Sequence, residues 1–127
     1  MPLDMGNGSL EDRIRRELPH LTEGDVGSLT RIVERLIDAY QPQRIYLFGS
    51  VARGEAGPDS DYDLLIVVPD DVPPDRQDSD LAYRALRGTG IAADVIVWKR
   101  SAFERRKHVV TSLPATVLRE GRLLHAA

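Results

Sequence analysis

The segment Asp61-Tyr62-Asp63-Leu64-Leu65-Ile66-Val67-Val68 constrains this chain more than any other. Leu64 to Val68 are apolar at every position, so the strand they form has no face to give to water and must be covered on both sides. Such a strand calls for a sheet with helices packed on it. Two carboxylates lead into it at alternate positions, which places them at the rim of that sheet.

The flanking sequence supplies the other elements. Ile45 to Phe48 is a second apolar run, and Ile91 to Trp98 a third in which Asp94 is the only charge. Arg122 to His125 is expected to add a last edge strand. Leu10, Ile14 and Leu18 recur at four-residue spacing and stop at Pro19, while Val26, Leu29, Ile32, Val33, Leu36, Ile37 and Tyr40 trace a longer helical stripe that Pro42 ends. Pro69 to Pro74 reads as a turn. A helix is predicted from Asp75 to Arg87 with Leu81, Ala82, Ala85 and Leu86 inward and Asp75, Asp78 and Asp80 solvated. Ser101-x-x-Glu104 reads as a capping box opening a helix that Gly121 stops. The expected class is α/β (α+β), a small mixed sheet with packed helices. One domain over residues 1–127 is expected, with N-terminal helices about 9–40, a core about 44–98 and a C-terminal helical segment about 101–121.

Composition removes several function classes. At 127 residues the chain suits one core, and a net charge of −3 argues against a general nucleic-acid binder. No run of about eighteen apolar residues suggests a membrane span. Met1-Pro2-Leu3-Asp4 lacks the basic-then-apolar order of a signal peptide, so a cytoplasmic location is expected. His20, His108 and His125 are scattered, and cysteine is absent. Arg105, Arg106 and Lys107 form a basic cluster, readable as an exposed helix face or as a partner-docking patch.

Chemistry concentrates around Asp61 and Asp63. Residues i and i+2 of a strand share a face with about 6.6 Å between their Cα atoms. Two unit charges there repel by about 2.5 kcal/mol at an effective dielectric of about 20. A cation would relieve that repulsion; a solvated turn, Pro58-Asp59-Ser60-Asp61, is the competing explanation. Asp94, read as a lone buried carboxylate, adds weight to the cation, because such a group costs several kcal/mol unless it is paired or bound to metal. Three oxygen ligands favour Mg²⁺ or Mn²⁺ over zinc. Gly49-Ser50 follows the Ile45–Phe48 strand and opens a helix start, where a bare backbone, a hydroxyl and free amides can receive phosphate. A plain turn would look the same in isolation.

Gly49-Ser50, ten intervening residues and Asp61-x-Asp63 in an apolar strand, with a later strand Asp, resemble the nucleotidyltransferase superfamily that includes DNA polymerase β. The string Gly49-Ser50-Val51-Ala52-Arg53-Gly54-Glu55-Ala56 with Asp59-Ser60-Asp61-Tyr62-Asp63-Leu64 is similar to its minimal nucleotidyltransferase branch, the antitoxin of HEPN ribonuclease toxin pairs. Tyr62 stands where an aliphatic residue is commoner in that family. The resemblance implies the nucleotidyltransferase fold and a metal-dependent transfer of AMP from ATP to a toxin tyrosine. It implies Asp61, Asp63 and Asp94 as catalytic residues and ligands of two Mg²⁺ ions, with Gly49 and Ser50 on the phosphates. Arg53 would either support the triphosphate or pair with Glu55 or Asp59. A HEPN-type toxin is the implied partner. The alternatives are an aminoglycoside-type small-molecule nucleotidyltransferase and an antitoxin that acts by binding alone.

Overall fold

The computed structural model describes residues 9–57 and 60–127. The Pro58-Asp59 part of the turn and the Met1–Asp4 terminus lie outside them. Ser9 caps the first helix, α1 (Leu10–Glu17), by accepting from the Asp12 amide at 2.9 Å. Thr22 does the same for α2 (Glu23–Tyr40) at the Asp25 amide, 3.1 Å. Each hydroxyl satisfies an amide that the helix leaves without an internal partner. The predicted stripe of α2 is the face it buries: Val26, Leu29, Ile32, Val33, Leu36 and Tyr40.

Among the described residues four strands form one mixed sheet in the order β3-β2-β1-β4. Strand β1 (Arg44–Phe48) lies antiparallel to β2 (Tyr62–Val68) and to β4 (Arg122–Ala126), whereas β3 (Ala93–Lys99) runs parallel to β2. Between β1 and β2 sits the short helix α3 (Gly49–Arg53). Alternation along the strands separates two apolar layers. Ile45, Leu47, Leu64 and Ile66 join α1 and α2 in the larger one. Tyr46, Leu65 and Val67 face the other way, under Phe103 and Val117, with Tyr46 and Phe103 stacked at 5.9 Å between ring centroids. Coverage on both sides is what the Leu64–Val68 run demanded.

Two helices differ from expectation. In place of Asp75–Arg87 there is a 3-10 turn, Pro74–Arg76, and then α4 (Asp80–Ala85). The buried Tyr40 hydroxyl donates to the Asp78 carbonyl at 2.6 Å and accepts from the Ala82 amide at 2.9 Å, so this segment folds around it. The Asp78 carboxylate takes the Asp80 amide at 3.0 Å, the local competition that makes aspartate a poor helix interior.

The C-terminal segment is likewise two helices, α5 (Arg100–Arg106) and α6 (Leu113–Glu120). The capping box does not form. Lys99 occupies the N-cap, the Ser101 amide donates to Asp70 Oδ1 at 2.9 Å, and Glu104 pairs with Lys107 at 2.7 Å. The β-branched run Val109-Val110-Thr111 disfavours helix continuation. Ser112 then recaps, its hydroxyl donating to the Arg106 carbonyl at 2.6 Å and accepting from the Ala115 amide at 3.2 Å. Gly121 ends α6 as expected, for a packing reason: a Cβ there would lie 2.6 Å from the Val117 carbonyl oxygen and 2.9 Å from that of Leu47.

Candidate active site

At one end of the sheet Phe48, Asp63 and Asp94 stand side by side on β1, β2 and β3. Asp63 and Asp94 are register partners on adjacent parallel strands, which puts both on one face, that of Leu65 and Val67. Asp63 is half-buried. Asp94 is exposed on an edge strand, which corrects the expectation of a buried carboxylate: among the described residues β3 has a neighbour on one side only, so its rim residue meets water. Asp61 is exposed as well and lies one residue ahead of β2 rather than within it.

The turn before α3 is shaped around Asp63. Gly49 has φ +78°, in the left-handed region that glycine enters without penalty. A Cβ at that position would overlap Asp63 Oδ2 and sit 3.0 Å from its Cγ. The glycine therefore serves the backbone turn and the seat of the carboxylate together. Among the described residues no side chain caps α3 at its start, which leaves its first amides beside the acid.

Burial pushes the Asp63 carboxyl above its ordinary value, and the charges of Asp94 and then Asp61 push it further; Arg53 opposes them. Three carboxylates thus act on one locus. Among the described residues, however, no group of three or more His, Asp or Glu side chains stands ready to hold a metal ion. The structure brings Asp63 and Asp94 together and leaves Asp61 at a distance where it acts through its field. Their all-oxygen donor set and mutual repulsion fit a hard divalent cation, which would offset the cost of gathering like charges.

Arg53 is engaged elsewhere. Its Nε donates to Glu55 Oε1 at 2.9 Å and its guanidinium approaches Glu120 at 3.6 Å. It lines an open groove of about 490 Å³ in which Arg53, Arg119 and Arg122 face Glu17, Glu55 and Glu120, so the groove has little excess positive charge to offer an anion.

Two contacts near the site went unforeseen. His20 Nε2 lies 2.7 Å from the Val51 carbonyl oxygen and braces α3 from behind. Tyr62, between the two acids, turns to the opposite face and donates its hydroxyl to Asp25 Oδ1 at 2.9 Å; burial first, then that bond and the Asp25 charge, push its phenol pKa upward. A tyrosine at an aliphatic position was the signal for the second. For His20 there was none, because a lone histidine after Pro19 carries no spacing pattern.

A pair of rim carboxylates thus stands beside a glycine-shaped helix start. The family model for the nucleotidyltransferase domain matches residues 29–124, and the chain belongs to that family. No curated protein matches it. Among solved structures, one described as a toxin–antitoxin with AMP-PNP is 23% identical with a TM-score of 0.55, over 76% of this chain and 72% of that one. A mutant of the toxin–antitoxin pair MntA-HpeT is 19% identical with a TM-score of 0.51, over 84% of this chain and 75% of that one. At such identities the likeness is one of fold. Among the described residues no helix is long and apolar enough to cross a membrane.

Proposed function

We propose that this chain transfers AMP from ATP to a tyrosine hydroxyl of a HEPN-type ribonuclease toxin in the cytoplasm and so neutralises it. The observation that carries the reading is the register pairing of Asp63 with Asp94 against Gly49. Family membership supports nucleotidyl transfer. Similarity in fold to two toxin–antitoxin structures, one with an ATP analogue, supports the toxin and the nucleotide.

Asp61 and Asp63 would hold two Mg²⁺ ions, with Asp94 completing the set and Mn²⁺ an effective substitute; Asp61 would be drawn in to join the existing pair. When bound, the ions neutralise charge on the attacking and leaving oxygens of an in-line displacement at phosphorus. The tyrosine oxygen forms a bond to the α-phosphorus, the bond from that phosphorus to the pyrophosphate oxygen breaks, and the hydroxyl proton passes to Asp94. Gly49 and Ser50 hold the β- and γ-phosphates through the open amides of α3 and the Ser50 hydroxyl. Arg53, paired with Glu55 and Glu120, orders the end of α3 more than it contacts the triphosphate.

Mass spectrometry of the toxin after incubation with this protein, ATP and Mg²⁺ tests the proposal. One or more AMP groups on tyrosine are expected, and none with Asp63→Asn. If Asp63→Asn neutralises the toxin in cells as well as wild type does, binding alone suffices. If wild type modifies an aminoglycoside and leaves the toxin untouched, the acceptor is a small molecule.

A further inference from the structure

Tyr62 separates Asp61 from Asp63 in the chain, and alternation sends its side chain to the other face of the sheet. There its hydroxyl meets Asp25, in the first turn of the 18-residue helix α2. The ring is buried in the larger apolar layer, and its hydroxyl end faces open space. Together with His20, Leu21, Asp25, Val51 and Ser60 it lines a cavity of about 270 Å³, which leaves the ring room to shift. Just before it, Ser60 is tied to Gly57: the Ser60 hydroxyl accepts from the Gly57 amide at 3.0 Å, and the Ser60 amide donates to the Gly57 carbonyl at 3.2 Å. The Tyr62 amide itself donates to the Ala92 carbonyl at 3.2 Å. Thus the 2.9 Å bond to Asp25 links the entry to β2, with Asp61 just before it and Asp63 within it, to α2.

We propose that Tyr62 and Asp25 form a positioning pair which fixes the direction of the Asp61 and Asp63 carboxylates from the opposite face of the sheet. Neither touches the reacting atoms. Losing the bond lets Tyr62 relax into the cavity and turns the strand entry, so Asp63 no longer faces Asp94 squarely and Asp61 is not drawn in to join them on one cation. The inference rests on the reading of Asp61 and Asp63 as cation ligands.

The test is Mn²⁺ titration by calorimetry on wild type, Tyr62→Phe, Asp25→Asn, the double variant and Tyr40→Phe, with AMP transfer and melting temperature measured alongside. Tyr40→Phe removes a comparable buried hydroxyl, bonded to Asp78 and Ala82, and serves as the stability control. Groups that orient metal ligands typically govern about 10- to 100-fold in affinity or activity. Tyr62→Phe is expected to weaken Mn²⁺ by about tenfold and to lower kcat more than it raises KM for ATP. Asp25→Asn, which still offers an acceptor oxygen, should lose less than Tyr62→Phe, and the double variant should be no worse than Tyr62→Phe. Tyr40→Phe should melt earlier with Mn²⁺ affinity unaltered. Wild-type Mn²⁺ affinity in Tyr62→Phe, or an equal loss in Tyr40→Phe, overturns the positioning role while leaving the active site in place. A wild-type protein that binds no Mn²⁺ overturns both.

Discussion

Replacing Asp63 by asparagine keeps the shape of the side chain and removes one charge from a cluster that repels itself. Neighbouring strands lie about 4.8 Å apart. Two unit charges at that distance repel by about 0.9 kcal/mol in water's dielectric and about 3.5 kcal/mol at an effective dielectric of about 20. Asp94 is exposed and Asp63 half-buried, so the lower end applies, and Asp63→Asn should stabilise the metal-free protein by about 1 kcal/mol at pH 7. For a chain of this size that is a rise in Tm of about 4 °C. The sign with pH follows from the upward shift of Asp63. The folded state holds that proton more tightly than the unfolded chain does, so wild-type stability from this group is greatest below the ordinary aspartate value of about 3.9. It falls as pH rises through the folded-state value. The advantage of Asp63→Asn should therefore be full at pH 7 and absent below about pH 3.9. Thermal melts of both proteins in chelator from pH 3 to pH 8 measure it. A variant less stable than wild type at pH 7, or an advantage that persists at pH 3, would show that Asp63 is not held among repelling carboxylates.

Gly49→Ala should lose about 2 kcal/mol or more, because a positive φ and overlap with Asp63 act together; circular dichroism melts would show it, and nucleotide transfer should fall further than stability. Gly121→Ala, whose Cβ would press on the backbone oxygens of Val117 and Leu47, should cost about 1–3 kcal/mol in the same assay. Mg²⁺ with ATP should raise the melting temperature and chelator should remove most of the gain. Ser50→Ala should weaken ATP in calorimetry and leave Mn²⁺ affinity intact; unchanged ATP affinity would remove Gly49-Ser50 from the phosphate site.

What was legible in the residues follows a physical divide. The Leu64–Val68 run demands cover on both sides, and the helical stripe from Val26 to Tyr40 is an unbroken 3.6-residue pattern, so the sheet and its main helix could be read directly. Asp61-x-Asp63 and Gly49-Ser50 were visible because their chemistry lies in short local spacing. The register that sets Asp63 against Asp94 was not, since strand order and offset are tertiary. The same limit explains Asp94, whose exposure depends on β3 being an edge strand. The broken helices failed for local reasons that can be seen afterwards. Asp78-Ser79-Asp80 and Val109-Val110-Thr111 are poor helix interiors, and Ser112 with Pro114 marks a fresh start, yet Ser101 and Glu104 at capping-box spacing outweighed those signals.

The central claim is that the carboxylate rim transfers the nucleotidyl moiety of a nucleoside triphosphate. The most direct measurement supplies ATP labelled at the α-phosphate and, separately, at the γ-phosphate to this protein with Mg²⁺ and the toxin partner, and follows label on the partner. The account predicts α-label on the partner with wild type, no γ-label, and loss of α-label in Asp61→Asn, Asp63→Asn and Asp94→Asn. Label arriving from the γ-phosphate, or α-label undiminished in Asp63→Asn, would contradict it.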